Sequence, residues 1–184
     1  RIVYIRRCSG AGFYLPFSSF FDCSMDDTGY VLATHFRPHL SDYLAIFLFR
    51  EYGEHRYPGI SQASILFVGD NMRMLDEWGN PTEFEQFSRA GFHVFGIGIG
   101  GGEYDEHFMD DRRDVCEATL VFERLGIRNG RLGPLVEYTL GVDRRGTGKE
   151  PLMVGRVVEL LHDVARQEVA VRDWTEEFFR AEIT

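Results

Sequence analysis

Cysteine is scarce in this sequence, and its few cysteines stand far apart. Cys8, Cys23 and Cys116 are the only three among 184 residues. Their spacing matches neither a zinc-binding pattern nor a disulfide framework. The cysteine usage therefore fits a protein of a reducing compartment, and we predict a cytoplasmic location.

Basic charge and long apolar runs are also lacking. The chain has 20 basic against 29 acidic residues, a formal net charge of -9 at pH 7, and Lys149 is its single lysine. So acidic a chain argues against a general groove for the backbone of DNA or RNA. No apolar run reaches the roughly 18 residues that a membrane helix needs, so we expect no membrane partner.

The sequence does contain enough apolar residues for a sizeable core. It is 44% hydrophobic and 14% aromatic, which excludes the disordered and low-complexity classes. Its length suits one compact domain. Because a turn-like stretch follows Met25, we predict an N-terminal extension over residues 1–24 and a single domain over 25–184.

Short apolar runs alternate with amphipathic stretches from residue 30 onward, which predicts an α/β fold. We expect a mainly parallel sheet flanked by helices, followed by a helical C-terminal part. Strands are expected at residues 30–34, 65–68 and 92–99. Helices are expected at residues 40–52, 82–90, 114–125, 152–167 and 173–179.

Metal-type side chains follow each of the three expected strands. Ligands of α/β proteins bind outside the carboxyl ends of the strands, so these positions are candidate sites. Imidazole and carboxylate together suit Mn, Zn or Fe better than Ca, and two such metals suit phosphoester cleavage. The candidates are His35, His39 and Asp42 after the first strand, Asp70 after the second, and Asp105 and His107 after the third.

Each of these segments also has a plainer interpretation. Two histidines four residues apart at a helix start are common as surface or capping residues, and Gly69-Asp70-Asn71 is typical of a turn. Gly96, Gly98 and Gly101 formally fit a dinucleotide-binding fingerprint, but an acidic segment stands where the helix should begin. The basic loop at residues 144–149 fits an exposed helix connection, or a contact for a phosphorylated substrate.

Two segments together resemble the DHH phosphoesterase superfamily. Thr34-His35, followed by His39-Leu40-Ser41-Asp42 and an apolar helix, resembles the first motif of its melanocyte-proliferating-gene-one-like branch. Residues 101–107, Gly-Gly-Glu-Tyr-Asp-Glu-His, resemble that branch's Gly-Gly-x-Tyr-Asp signal merged with a shortened Asp-His-His motif. Residues 116–126 resemble the helix that follows it, so the resemblance covers roughly residues 28–130.

The resemblance implies a parallel α/β domain with one or two Mn or Mg ions that hydrolyses phosphodiesters of nucleotides or short oligonucleotides, often as an exonuclease. Arg37, between the first two histidines, is the candidate cation for the phosphoryl oxygens. His107 is expected both to bind metal and to take part in catalysis. The implied metal ligands are His35, His39, Asp42, Asp70, Asp105 and His107.

Two positions depart from the family pattern. Ser41 stands where the first motif has an aspartate, and Glu106 stands at the first histidine of Asp-His-His. The substrate-holding domain that usually follows is not matched. Two hypotheses therefore remain: a metal-dependent phosphoesterase, and a non-catalytic binding or assembly module that has lost the two-metal site. Self-association into a homo-oligomer is compatible with both.

Overall fold

The computed structural model describes residues 2–4, 29–69, 91–108, 115–145, 154–165 and 168–183. These stretches form parallel strands and helices, which confirms the predicted α/β class. The strands are β1 (Ile2–Tyr4), β2 (Tyr30–His35), β3 (Ser64–Val68) and β4 (His93–Gly96). The helices are α1 (Leu40–Tyr52), α2 (Glu117–Leu125), α3 (Leu132–Arg145), α4 (Val154–Ala165) and α5 (Glu168–Ile183). None of these helices is both long and apolar enough to cross a bilayer.

The sheet has the strand order β1-β3-β2-β4, and every neighbouring pair is parallel. The chain runs from β2 to β3 on one side, then passes back over β2 to reach β4 on the other side. The strand order therefore reverses between β2 and β4. At such a point the segments that leave the two strands run to opposite sides and open a crevice at the carboxyl ends of the strands. The segments after β2 and β4 therefore meet at one edge of the sheet.

Both faces of the central strand β2 are buried. Leu32 packs into the larger core with α1, whereas Val31 and Ala33 pack into a smaller cluster on the opposite face. This alternation follows from the two-residue period of a strand. Burial on both faces is typical of an interior strand of a parallel sheet.

Helix α1 lies at the centre of the helical layer, and its observed bounds match the predicted ones. It packs against α2, α3 and α5, and all residues from Leu40 to Phe49 are buried. The helix ends at Gly53, whose N–H donates to the Phe49 carbonyl at 2.9 Å. A Cβ at this glycine would lie 2.4 Å from that same oxygen, so close packing excludes a larger residue.

Two helices differ from the sequence expectations. Helix α3 was not predicted, because Gly133, Pro134 and Gly141 are poor helix formers; Pro134 is tolerated because it lies in the first turn. The expected start of the last helix at Asp173 is wrong, since α5 begins at Glu168. Helix α2 begins at Glu117 and not at the expected Asp114. The described part of the helix expected at 152–167 is helical throughout, and residues 82–90 lie outside the described ranges.

The expected N-terminal extension contributes a strand to the same sheet. Residues 2–4 form β1, which pairs in parallel with β3 through the register Ile2 to Ile65. The division at residue 25 remains a prediction.

Glu176 joins α5 to α1 through charged hydrogen bonds. Its side chain is 9% exposed, and it accepts hydrogen bonds from Arg50 at 2.8 Å and from Arg180 at 3.3 Å. We expect Glu176→Ala to lower the free energy of unfolding by about 1–3 kcal/mol, because it leaves the half-buried Arg50 guanidinium without this partner. Urea denaturation measures the change. Glu177→Ala, which removes an exposed neighbouring acid, is the matched control, and an equal loss in both variants would contradict the assignment.

Candidate metal centre

A cleft of about 720 Å³ opens at the carboxyl ends of β2 and β4. Residues 35–41 after β2 form one side, and residues 98–107 after β4 contribute a second. Parts of α3 and α4 complete the wall. The candidates that follow the first and third expected strands therefore reach the same cavity, except for Asp42, which is buried beside it.

His35, at the end of β2, has a ring whose orientation is set by the backbone. Its Nδ1 lies 2.8 Å from the carbonyl oxygen of Phe36, which can only accept, so Nδ1 carries the proton. Its Nε2 lies 3.1 Å from Oδ2 of Asp42. The ring therefore directs Nε2, the nitrogen that would bind a metal ion, toward this carboxylate. A histidine that binds metal through one nitrogen commonly donates from the other to a carbonyl or carboxylate.

Asp42 is fully buried in the first turn of α1 and is held by several donors. Its Oδ2 accepts the backbone N–H of His39 at 2.8 Å, and its Oδ1 accepts the Thr34 hydroxyl at 3.3 Å. One ligand atom each from His35, His39 and Asp42 lies within 4.8 Å of the others. The structure thus brings together the three candidates that follow the first strand.

Asp105 and His107 form a hydrogen-bonded pair on the second side of the cleft. The Nδ1 of His107 donates to Oδ1 of the buried Asp105 at 2.9 Å, while Oδ2 accepts the Gly101 N–H at 2.8 Å. Asp105 therefore fixes the imidazole and leaves Nε2 as the nitrogen with a free lone pair. Burial lowers the pKa of His107, but the negative charge of Glu106 and the bond to Asp105 outweigh this effect and raise it above its ordinary value.

Three further acids meet beside these residues, and sequence reasoning missed them as ligands. One ligand atom each from Glu106, Glu117 and Asp143 lies within 4.8 Å of the others. Burial, and then the charge of Asp42, raises the pKa of Glu117 well above its ordinary value. Burial and then Glu106 raise the pKa of Asp143. In the sequence, the one indication of such a role was that Glu117, a charged residue, falls on the apolar face of the helix α2.

Asp143 of α3 places a carboxylate beside Ser41 of α1. The buried Ser41 hydroxyl donates to Oδ1 of Asp143 at 3.4 Å, across 102 positions of sequence. With imidazoles and several buried carboxylates converging, the donor set fits Mn or Mg ions.

Gly98 lies between two clusters of candidate ligands. The histidine-containing cluster is His35, His39 and Asp42, and the acidic cluster is Glu106, Glu117 and Asp143. Its backbone has a φ of +64°, and an added Cβ would lie 2.4 Å from Oδ1 of Asp42 and 2.9 Å from Oε1 of Glu117. Only a residue without a side chain lets both carboxylates pack here. The histidine-containing cluster and the acidic cluster are consequently neighbours.

Arg37, the expected catalytic cation, lies at the exposed mouth of the cleft. It has a left-handed φ of +59°, and its guanidinium donates to Asp163 of α4 at 2.6 Å. On the same helix, His162 donates from Nε2 to the Pro38 carbonyl at 3.0 Å. Helix α4 thus contacts the turn between His35 and His39.

Helix α4 also carries a second guanidinium that borders the cleft. Arg156 donates to Glu159 one turn further along at 2.6 Å.

Two of the candidate features lie outside the described residues, namely Asp70 and the loop at 146–149. Comparisons with protein-family models, curated proteins and solved structures found no match to this chain.

Proposed function

We propose that this chain is a metal-dependent phosphoesterase that hydrolyses phosphodiesters of nucleotides or short oligonucleotides. The observation that carries the proposal is the placement of His35, His39 and His107 on one cleft at the carboxyl edge of a parallel sheet. A carboxylate oxygen of the buried Asp42 lies within 4.8 Å of a ring nitrogen of each of the first two histidines. Imidazole and carboxylate ligands at such an edge are suited to binding a catalytic divalent ion.

The first cation would be held by His35, His39 and Asp42, whose ligand atoms lie close together. Mn²⁺ or Mg²⁺, as one or two ions, is the expected cofactor. When bound, such an ion polarises phosphoryl oxygens and lowers the pKa of a coordinated water. The buried carboxylate of Asp42 and the carbonyl-held ring of His35 provide a pre-oriented pair of ligands.

His107 and Arg37 have proposed roles toward the substrate. Because Asp105 holds Nδ1 of His107, the other ring nitrogen is available to contact the oxygen of the leaving group. Arg37 borders the cleft and would neutralise charge on the phosphoryl oxygens after exchanging its partner Asp163 for substrate. The cleft volume of about 720 Å³ suits a small ligand such as a nucleotide.

The second candidate is a binding or assembly module without catalysis. The ion pairs of Arg37 with Asp163 and of Arg156 with Glu159 favour it, because both guanidinium groups at the cleft already have carboxylate partners. In such a protein the fold would persist while the substrate contacts were lost. The phosphoesterase would hydrolyse a phosphodiester, whereas the module would not. A module that had also lost its ions would in addition bind no metal.

A metal titration with a histidine variant tests the proposal. We expect the native chain to bind about one or two Mn²⁺ ions and to hydrolyse bis(p-nitrophenyl) phosphate or a dinucleotide. His35→Ala should weaken Mn²⁺ binding by about 10-fold or more and abolish hydrolysis. His55→Ala is the control, since this exposed histidine, within the part of the chain that the structure describes, donates only to the nearby Tyr52 carbonyl. Metal binding without hydrolysis would support the module, and equal Mn²⁺ affinity in His35→Ala would remove His35 from the site.

A further inference from the structure

Three carboxylates from three different elements meet beside the cleft, and one of them, that of Asp143, lines its wall. Glu106 comes from the short 3₁₀ turn Glu106–Phe108, Glu117 from the first turn of α2, and Asp143 from the end of α3. One oxygen of each lies within 4.8 Å of the others. Among the described residues, no arginine or lysine forms an ion pair with Glu117 or Asp143. The imidazole of His107, whose Nδ1 lies 3.2 Å from Oε1 of Glu106, is the one basic group paired with the cluster there.

The side chain of Glu117 carries an independent indication of a missing ligand. It is 2% exposed, and its Oε2 has no hydrogen-bond partner among the described residues. Oε2 of Glu106 is also buried and equally without a partner there. Leaving a buried carboxylate oxygen without a donor is costly, and native proteins seldom do so without a bound ion or water.

We propose that Glu106, Glu117 and Asp143 form a second cation site, made of oxygen ligands alone, that binds a hard divalent ion of the Mg²⁺ or Mn²⁺ class. The inference rests on the proposed function in one respect: the ion would be the second metal of the phosphoesterase. Carboxylate oxygens without imidazole or thiolate favour hard cations over zinc or iron. The Ser41 hydroxyl, which donates to Oδ1 of Asp143, helps to set the orientation of that ligand.

The position of Gly98 makes the two sites neighbours. Oδ1 of Asp42, from the histidine-containing cluster, and Oε1 of Glu117, from the acidic cluster, both pack against this one glycine. Two divalent ions a few ångström apart can act on the same phosphate group. The acidic site is therefore placed where its ion and the first one could reach one substrate.

Glu117→Gln tests the site because it removes the charge while nearly preserving the shape. Without cations, we expect this variant to melt at a higher temperature than the native chain, because it removes a buried charge next to other acids. With Mg²⁺ as the probe, its affinity should fall by about 10-fold or more, and its Mg²⁺-induced thermal shift should shrink. Glu123→Gln, at an exposed position on the same helix, should match the native chain in both measurements.

The alternative is that Glu117 and Glu106 share a proton instead of an ion. In that case Glu117→Gln would leave the Mg²⁺ affinity unchanged, which would overturn the proposal. Asp143→Asn, compared with the exposed Glu137→Gln on the same helix, provides the same test if Glu117→Gln does not fold. Loss of Mg²⁺ affinity in a protein that hydrolyses nothing would leave the site standing and the function refuted. Hydrolysis by the native chain, with unchanged Mg²⁺ affinity in the variants, would refute the acidic site and leave the proposed function standing.

Discussion

Asp42→Asn is expected to lower the stability of the protein much more in the presence of Mn²⁺ than in its absence. Without the ion, the loss should be about 1 kcal/mol, because the amide cannot accept from both the His39 N–H and the Thr34 hydroxyl. At Mn²⁺ concentrations near 100 times the dissociation constant, the native chain gains about 2.7 kcal/mol that the variant does not. The difference should then approach about 4 kcal/mol.

Urea denaturation with and without Mn²⁺ measures both values. Glu51→Gln is a suitable control, since this exposed acid lies on the same helix and contacts only Arg180 in the ion pairs of the described residues. It should show no dependence of the stability change on Mn²⁺. If the gap between Asp42→Asn and the native chain stayed constant as Mn²⁺ was added, Asp42 would be a helix-capping residue and not a metal ligand.

Gly98→Ala should damage both the fold and the metal centre. The left-handed φ of +64° costs an alanine about 1–2 kcal/mol, and the new Cβ would lie 2.4 Å from Oδ1 of Asp42. The carboxylate must then move, so we expect a total loss of about 2–4 kcal/mol and loss of Mn²⁺ binding.

Gly126→Ala separates the two causes of that loss. Gly126 has nearly the same φ, +62°, but a Cβ at this position would meet no atom within 4 Å. This control should therefore lose only the backbone cost, about 1–2 kcal/mol, and should bind Mn²⁺ normally. Equal losses in the two variants, with intact Mn²⁺ binding in Gly98→Ala, would show that the contact with Asp42 is unimportant.

Elements with a strong local pattern could be predicted from the sequence. Apolar residues at helical spacing, bounded by Gly53, define α1, and apolar runs define β2 and β3. Helix α3 could not be found this way, because Gly133 and Gly141 weaken its pattern and its stability comes from packing against α1 and α2. Glu176, three residues after Asp173, imitates a capping box, whereas in the fold it pairs with Arg50 of α1.

The candidate site divides in the same way between local and distant residues. His35, His39 and Asp42 lie within eight residues and follow a strand, so a single stretch of sequence predicts their proximity. Asp143 reaches Ser41 across 102 positions, through a helix that the sequence did not reveal. No local sequence pattern predicts this contact, because it depends on how α3 packs against α1.

The guanidinium groups at the mouth of the cleft bear on the order in which metal ions and substrate would bind under the proposed function. Arg37 and Arg156 each already pair with an acid of α4, so neither adds uncompensated positive charge to the cavity. The wall also carries the carboxylates of Asp105 and Asp143, and neither pairs with an arginine or lysine among the described residues. An ion-free cleft would repel a phosphate group, and it would accept one only after divalent ions had reversed the sign of its potential. If the proposed function holds, we therefore expect cations to bind first and the anionic ligand to follow them.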